Sequence, residues 1–165
     1  MPAKLPNHDA DEASLDEVRA VYADLAKRPV QRDCIRRTEC CQFKLTGVMP
    51  LVTKGEVALM VKALRAGGRT ELPTPKIEGA CPMLLANGKC LTYEARPFGC
   101  RTHFCEAAGG PYARKEVIDL IRRLESVDTD LQGEGPHKLD VGLKRMLREL
   151  KEGAAVSGVT KAISR

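Results

Sequence analysis

Apolar residues recur at helical spacing in four separate stretches of the chain. Leu15, Val18, Val21, Tyr22 and Leu25 make the first, and repeats of this kind lay one apolar stripe along a helix. Ser14 with Glu17 three residues on reads as a capping box, so the helix is expected to open at Ser14 and to stop before Pro29. It is expected to pack over the cysteine-bearing segment, and the polar residues 1–13 ahead of it to form a flexible lead-in. Thr53 and Glu56 form a second capping box, leading into Val57, Leu59, Met60, Val61 and Leu64, and Gly67-Gly68 closes that helix. A third helix is expected from Pro111 or Tyr112, burying Val117, Ile118, Leu120, Ile121 and Leu124. After a polar link at 126–138, a fourth runs over 139–151 with Leu139, Leu143, Met146, Leu147 and Leu150 on one face. The small polar residues 153–165 are expected to fray.

Between the second and third helices the periodicity fails. Asn87-Gly88 separates Met83-Leu84-Leu85 from Cys90-Leu91-Thr92-Tyr93, which predicts a hairpin near residues 83–93. Pro82, Pro97 and Gly99 exclude a long helix there, and few large apolar side chains are available for a core. A segment of this kind needs a cross-link, and it carries the means. The chain has 7 cysteines: Cys34, Cys40 and Cys41 form one group, and Cys81, Cys90, Cys100 and Cys105 a second. The fold class read from this pattern is mainly α, with about four helices and a short hairpin around an irregular, metal-ligated, cysteine-rich knuckle. A small α+β arrangement is the alternative. Residues 14–151 are expected to form one domain, a size that 165 residues allow.

Charge and compartment narrow the chemistry. No run is apolar and long enough to span a bilayer, and the N-terminal residues lack the apolar core of a secretory signal. The chain is therefore read as cytoplasmic, where thiols stay reduced, and an odd number of cysteines cannot all pair internally. Both points favour metal over disulfides. The net charge of +5 is concentrated in residues 34–110, which carry 11 basic and 6 acidic side chains. Cations there stabilise thiolates. No basic stripe interleaved with aromatics is present, so nucleic acid is disfavoured.

The spacing of the cysteines is neither a pair of C-x₂-C motifs nor a Cys₂His₂ pattern, so an ordinary zinc finger is excluded. Cys34, Cys40-Cys41, Cys81-Pro82, Cys90-Leu91-Thr92-Tyr93-Glu94 with Arg96-Pro97, and Cys100-Arg101 with Cys105 resemble the YkgJ-like cysteine-cluster family over residues 34–105. That family is described as a zinc- or iron-chelating domain with a C-x₂-C-x₂-C-C signature. Here Arg37 stands at the signature's second cysteine. The resemblance implies metal binding, with an iron–sulfur cluster placed ahead of Zn²⁺, and Cys34, Cys40, Cys41, Cys81, Cys90, Cys100 and Cys105 are the candidate ligands. His103, two residues before Cys105, is a further candidate.

Three functions are consistent with this. The protein is a thiolate metal-binding protein with a redox or electron-transfer role and an electron-transfer partner, or a structural zinc domain that binds another protein. In the third reading it is an enzyme whose open metal site takes a small anion held by Arg96 or Arg101. Neither P-loop nor dinucleotide-binding glycine pattern is present.

Overall fold

The computed structural model describes residues 8–28, 32, 35 and 37–151. Its elements in chain order are α1 (His8–Ala26), α2 (Phe43–Thr46), β1 (Leu51–Val52), α3 (Lys54–Ala66), α4 (Phe98–Thr102), α5 (Arg114–Asp130), β2 (His137–Lys138) and α6 (Leu139–Lys151). Short 3₁₀ turns lie at Glu39–Cys41, Tyr93–Ala95 and Glu106–Ala108. The protein is mainly helical, as its periodicity predicts.

The central element is α3. Its sequence is apolar almost all round, and Val57, Ala58, Leu59, Met60, Val61 and Leu64 are all buried; a helix with no polar face must be enclosed on every side. The helices α1, α5 and α6 pack against it, and α1 also lies along α5. Gly142 of α6 makes one of these approaches possible, because a Cβ there would sit 2.9 Å from the Val57 side chain. Leu15, Val18, Val21, Tyr22 and Leu25 of α1 enter the same core, with Leu120, Leu124 and Val127 of α5 and Leu139, Leu143 and Met146 of α6. Each buried Leu or Val in such a core contributes roughly 1.5–3 kcal/mol relative to exposure.

The N-terminal end of α3 is pinned from a distance. Asp128, buried near the end of α5, accepts the Lys54 amide at 2.7 Å and the Gly135 amide at 2.9 Å. Just ahead of α3, β1 pairs antiparallel with β2, Leu51 against Lys138 and Val52 against His137. The capping box expected from Thr53 and Glu56 is present: Glu56 accepts the Thr53 amide at 2.8 Å and its hydroxyl at 2.9 Å.

Several expectations need correction. The first helix opens at His8, not Ser14, so 8–13 are helical and the capping box at Ser14 does not form. The run Asp9-Ala10-Asp11-Glu12-Ala13 has adequate helical propensity and places acids in the first turns, where they suit the helix dipole. This helix packs chiefly on α5 and α3 and meets the cysteine segment through Tyr22, whose ring lies 4.0 Å from the Arg101 guanidinium. The third starts at Arg114, where the Ala113 amide is capped by Glu116 at 2.6 Å, and continues through 126–130 because Val127 and Asp128 are buried. The hairpin is reduced to one isolated antiparallel bridge between Leu84 and Cys90. Residues 1–7 and 153–165, for which flexible ends were expected, lie outside the described residues, as does Cys34. Among the described residues, no helix is long and apolar enough to cross a membrane.

Candidate metal centre

Three chain segments converge on one pocket of about 640 Å³, and each brings cysteines to its wall. Cys40 and Cys41 come from the 3₁₀ turn ahead of α2. Cys81 and Cys90 come from the bridged loop, and Cys100 from α4. The segments are tied by backbone bonds rather than by extensive side-chain packing. The Cys81 amide donates to the Cys41 carbonyl at 2.7 Å, and the Lys44 amide to the Gly79 carbonyl at 3.1 Å.

The loop between Cys81 and Cys90 folds tightly on itself. The Leu84 amide returns to the Cys81 carbonyl at 3.0 Å, the Leu85 amide to Lys89 at 2.8 Å, and the Leu91 amide to Met83 at 2.7 Å. The Asn87 side chain accepts the Lys89 amide at 3.0 Å, which fixes the turn at Gly88. Burial raises the Cys81 thiol, and the nearby backbone amides of Met83 and Leu84 offset part of that by favouring its thiolate. Amides aimed at a cysteine sulfur are what a metal-bound thiolate requires of its surroundings.

The Cys100 segment is held by Glu56. This buried carboxylate receives the Phe98 amide at 2.7 Å as well as the Thr53 donors, and the Tyr22 hydroxyl at 3.3 Å. One side chain on the central helix thus links α1, the start of α3 and the start of α4. Burial pushes the Glu56 carboxyl above its ordinary 4.5, and the bonds from Thr53, Phe98 and Tyr22 pull it part of the way back. Gly99 lets α4 lie directly on β1's approach, since a Cβ there would be 2.8 Å from the Pro50 side chain. Sequence reasoning did not find this role of Glu56. Its place in a capping box already accounted for an acidic residue, and the second use depends on a segment 42 residues away.

The two arginines proposed as anion holders differ. Arg101 is consumed by structure: it donates to the Arg96 carbonyl at 2.7 Å and the Glu94 carbonyl at 2.6 Å, and its guanidinium lies 4.0 Å from the Tyr22 ring centroid. Arg96 donates through Nε to the Tyr93 carbonyl at 3.1 Å and stacks 3.8 Å over the Tyr93 ring. Its terminal amino groups make no hydrogen bond among the described residues, and Arg96 helps to line the pocket.

The thiols are electrostatically unequal. Cys40 is lowered to about 6, chiefly because the Cys41 S–H donates to its sulfur, and Cys41 is correspondingly pushed far up. Burial raises Cys81 to about 11 and Cys100 to about 12. In the absence of a cation these buried thiols keep their protons at neutral pH; a soft cation reverses that, because coordination deprotonates a thiol outright.

Of the candidate ligands, Cys40, Cys41, Cys81, Cys90 and Cys100 border the pocket, and the exposed His103 lies at its edge. Cys105 does not line it; its carbonyl accepts the Ala108 and Gly110 amides in the following turn. Among the described residues no cysteine is in a disulfide. Also among them, no three His, Cys, Asp or Glu side chains are gathered so as to hold a single ion. The donor set suits a soft metal in kind. Compared with protein-family models, curated proteins and solved structures, the chain matches none.

Proposed function

We propose that this protein binds a metal centre through cysteine thiolates in the pocket between α2, the 81–90 loop and α4, and that the centre is an iron–sulfur cluster serving electron transfer. One observation carries the reading: five cysteines from three chain segments border a single cavity. The amides at the Cys81 sulfur and the absence of disulfides among the described residues support it. The resemblance of residues 34–105 to the YkgJ-like cysteine clusters points the same way.

A cluster is placed ahead of zinc by the family resemblance and by the surplus of thiols, since five border the pocket and one Zn²⁺ takes four ligands. Cys81, Cys90 and Cys100, with Cys40 or Cys41, are the proposed ligands. Bound there, a cluster supplies one-electron chemistry. The chain's own part is to hold the thiolates, offer amide donors to sulfur and surround the site with the apolar side chains of Met60, Met83 and Leu139. The second reading, a structural zinc site for partner binding, draws on the same thiols.

Metal and acid-labile sulfide content of protein purified without air, with a visible spectrum, tests this. Iron with matching sulfide and a broad absorption near ~400 nm is expected; zinc alone would be colourless, its d shell being filled. Zinc without sulfide replaces the first reading by the second, and a metal-free protein overturns both.

A further inference from the structure

The same pocket has a feature that thiolate ligation does not use up. Its accessible apolar lining comes from the exposed Val48 and Leu51 and the half-buried Met49 and Leu84, with Met60, Met83 and Leu139 buried behind. Its outer wall is cationic, with Arg37 and Lys89 exposed and Arg96 half-buried. No Asp or Glu is among the described residues that line it. Neither Arg37 nor Lys89 has an ion-pair partner among the described residues, and Arg96 spends only its Nε on the Tyr93 carbonyl. The stack on Tyr93 and that single bond hold the guanidinium plane fixed, with its two terminal amino groups turned outward from the bond. An oriented guanidinium fork is the group that best matches a carboxylate or phosphate.

Three cations and no carboxylate among the described lining residues give the pocket a positive wall that suits an anionic ligand. The cavity of about 640 Å³ also falls within the range of small-molecule sites, roughly 300–1,000 Å³.

We infer that the pocket binds an organic anion with an apolar body: a carboxylate or phosphate head held by Arg96, with Arg37 and Lys89 beside it, and the body lying against Val48, Met49, Leu51 and Leu84. The inference concerns the pocket whose thiols carry the proposed metal, but it does not rest on that metal being present.

Calorimetric titration of the purified protein with octanoate, octyl phosphate and octanamide tests it, with metal content measured on the same samples. At least one of the two anions should bind, about tenfold or more tighter than the neutral amide, as expected when a charge-assisted bond is lost. Whichever anion binds tighter identifies the head group. Arg96→Gln should weaken that anion by about tenfold and leave octanamide unchanged. Equal affinity for the anions and octanamide, or no binding of either anion at millimolar concentration, overturns the inference. The comparison of ligands is made on the unaltered protein, so it stands even if Arg96→Gln misfolds. Metal with no anion binding rejects this inference alone; anion binding without metal rejects only the metal reading.

Discussion

The helical frame and the cysteine segment are stabilised by different means. In the frame, α1, α3, α5 and α6 bury a continuous aliphatic core, and its elements are long enough to close most of their own hydrogen bonds. The cysteine segment, residues 39–46 and 81–102, contains helices of five residues or fewer and one isolated bridge. It adds Met83 and Phe98 to the core, but it is ordered largely by backbone bonds between loops and by Glu56 and Arg101 reaching in. The frame therefore needs nothing beyond its own side chains, while the cysteine segment leans on the frame and leaves its thiols about an open space.

The largest effect should follow from a cavity in the frame. Leu120→Ala removes a side chain 1% exposed between α5 and α3, and should lower unfolding stability by about 3 kcal/mol, within the usual 2–5 for such truncations. Urea unfolding followed by circular dichroism measures it; a loss below about 1 kcal/mol would mean that the helical core is not what carries stability.

The next effect separates the regions. Cys100→Ser should abolish metal binding and bring the melting temperature of loaded protein down to that of chelated wild type, because metal-binding energy at such a site is folding energy. In the metal-free state the same change should shift stability by less than about 1 kcal/mol. Retained metal with an unchanged melting temperature would show that Cys100 is not a ligand.

A smaller effect tests the joint between the regions. Gly99→Ala sets a Cβ against the Pro50 side chain, and should destabilise the protein by about 1–2 kcal/mol while lowering metal affinity, because α4 must shift to relieve the contact. If stability falls and metal affinity does not, the placement of α4 is not what positions Cys100.

The smallest is a dependence on pH. The folded protein holds the Glu56 proton to higher pH than the unfolded chain does. The stability linked to that proton is complete below the unfolded value and shrinks as pH rises through the folded one. The stability of wild type relative to Glu56→Gln should therefore decline as pH rises above about 4, the ordinary carboxyl value. A flat or rising difference would mean that burial does not govern this carboxyl.

Periodicity made the frame legible. Val57 to Leu64 and Leu139 to Leu150 repeat with the helical period over enough residues that local sequence and tertiary packing agree, and the Thr53–Glu56 box and Gly67 mark the ends of α3. What escaped reading depends on long-range partners. The pairing of Leu51 with Lys138 involves two-residue strands, too short to leave an alternating pattern. The extension of α5 to Asp130 is set by Asp128, a polar residue buried because it caps another helix. In the cysteine segment, clustering of the thiols along the chain pointed to a site. Which of them face one cavity is decided by loop geometry: Cys90 and Cys100 do, and Cys105 does not. Of the cationic wall, Arg96 was singled out in the sequence, while Arg37 and Lys89 were visible only within the excess of Lys and Arg over residues 34–110.

The knot at the start of α3 also sets an order of events in folding. Asp128 meets the Lys54 amide across 74 residues of chain, and the β1–β2 pairing spans a still longer loop. Closing such loops has an entropic cost that grows as about (3/2)RT ln n and slows folding in proportion to contact separation. The short separations inside the cysteine segment, such as Cys81 to Cys90, can close early and reversibly. The bond from Phe98 to Glu56 spans 42 residues, so it too costs less to close than the knot. By loop-closure cost, Cys100 is set against α3 sooner than α5 and β2 are joined to its start.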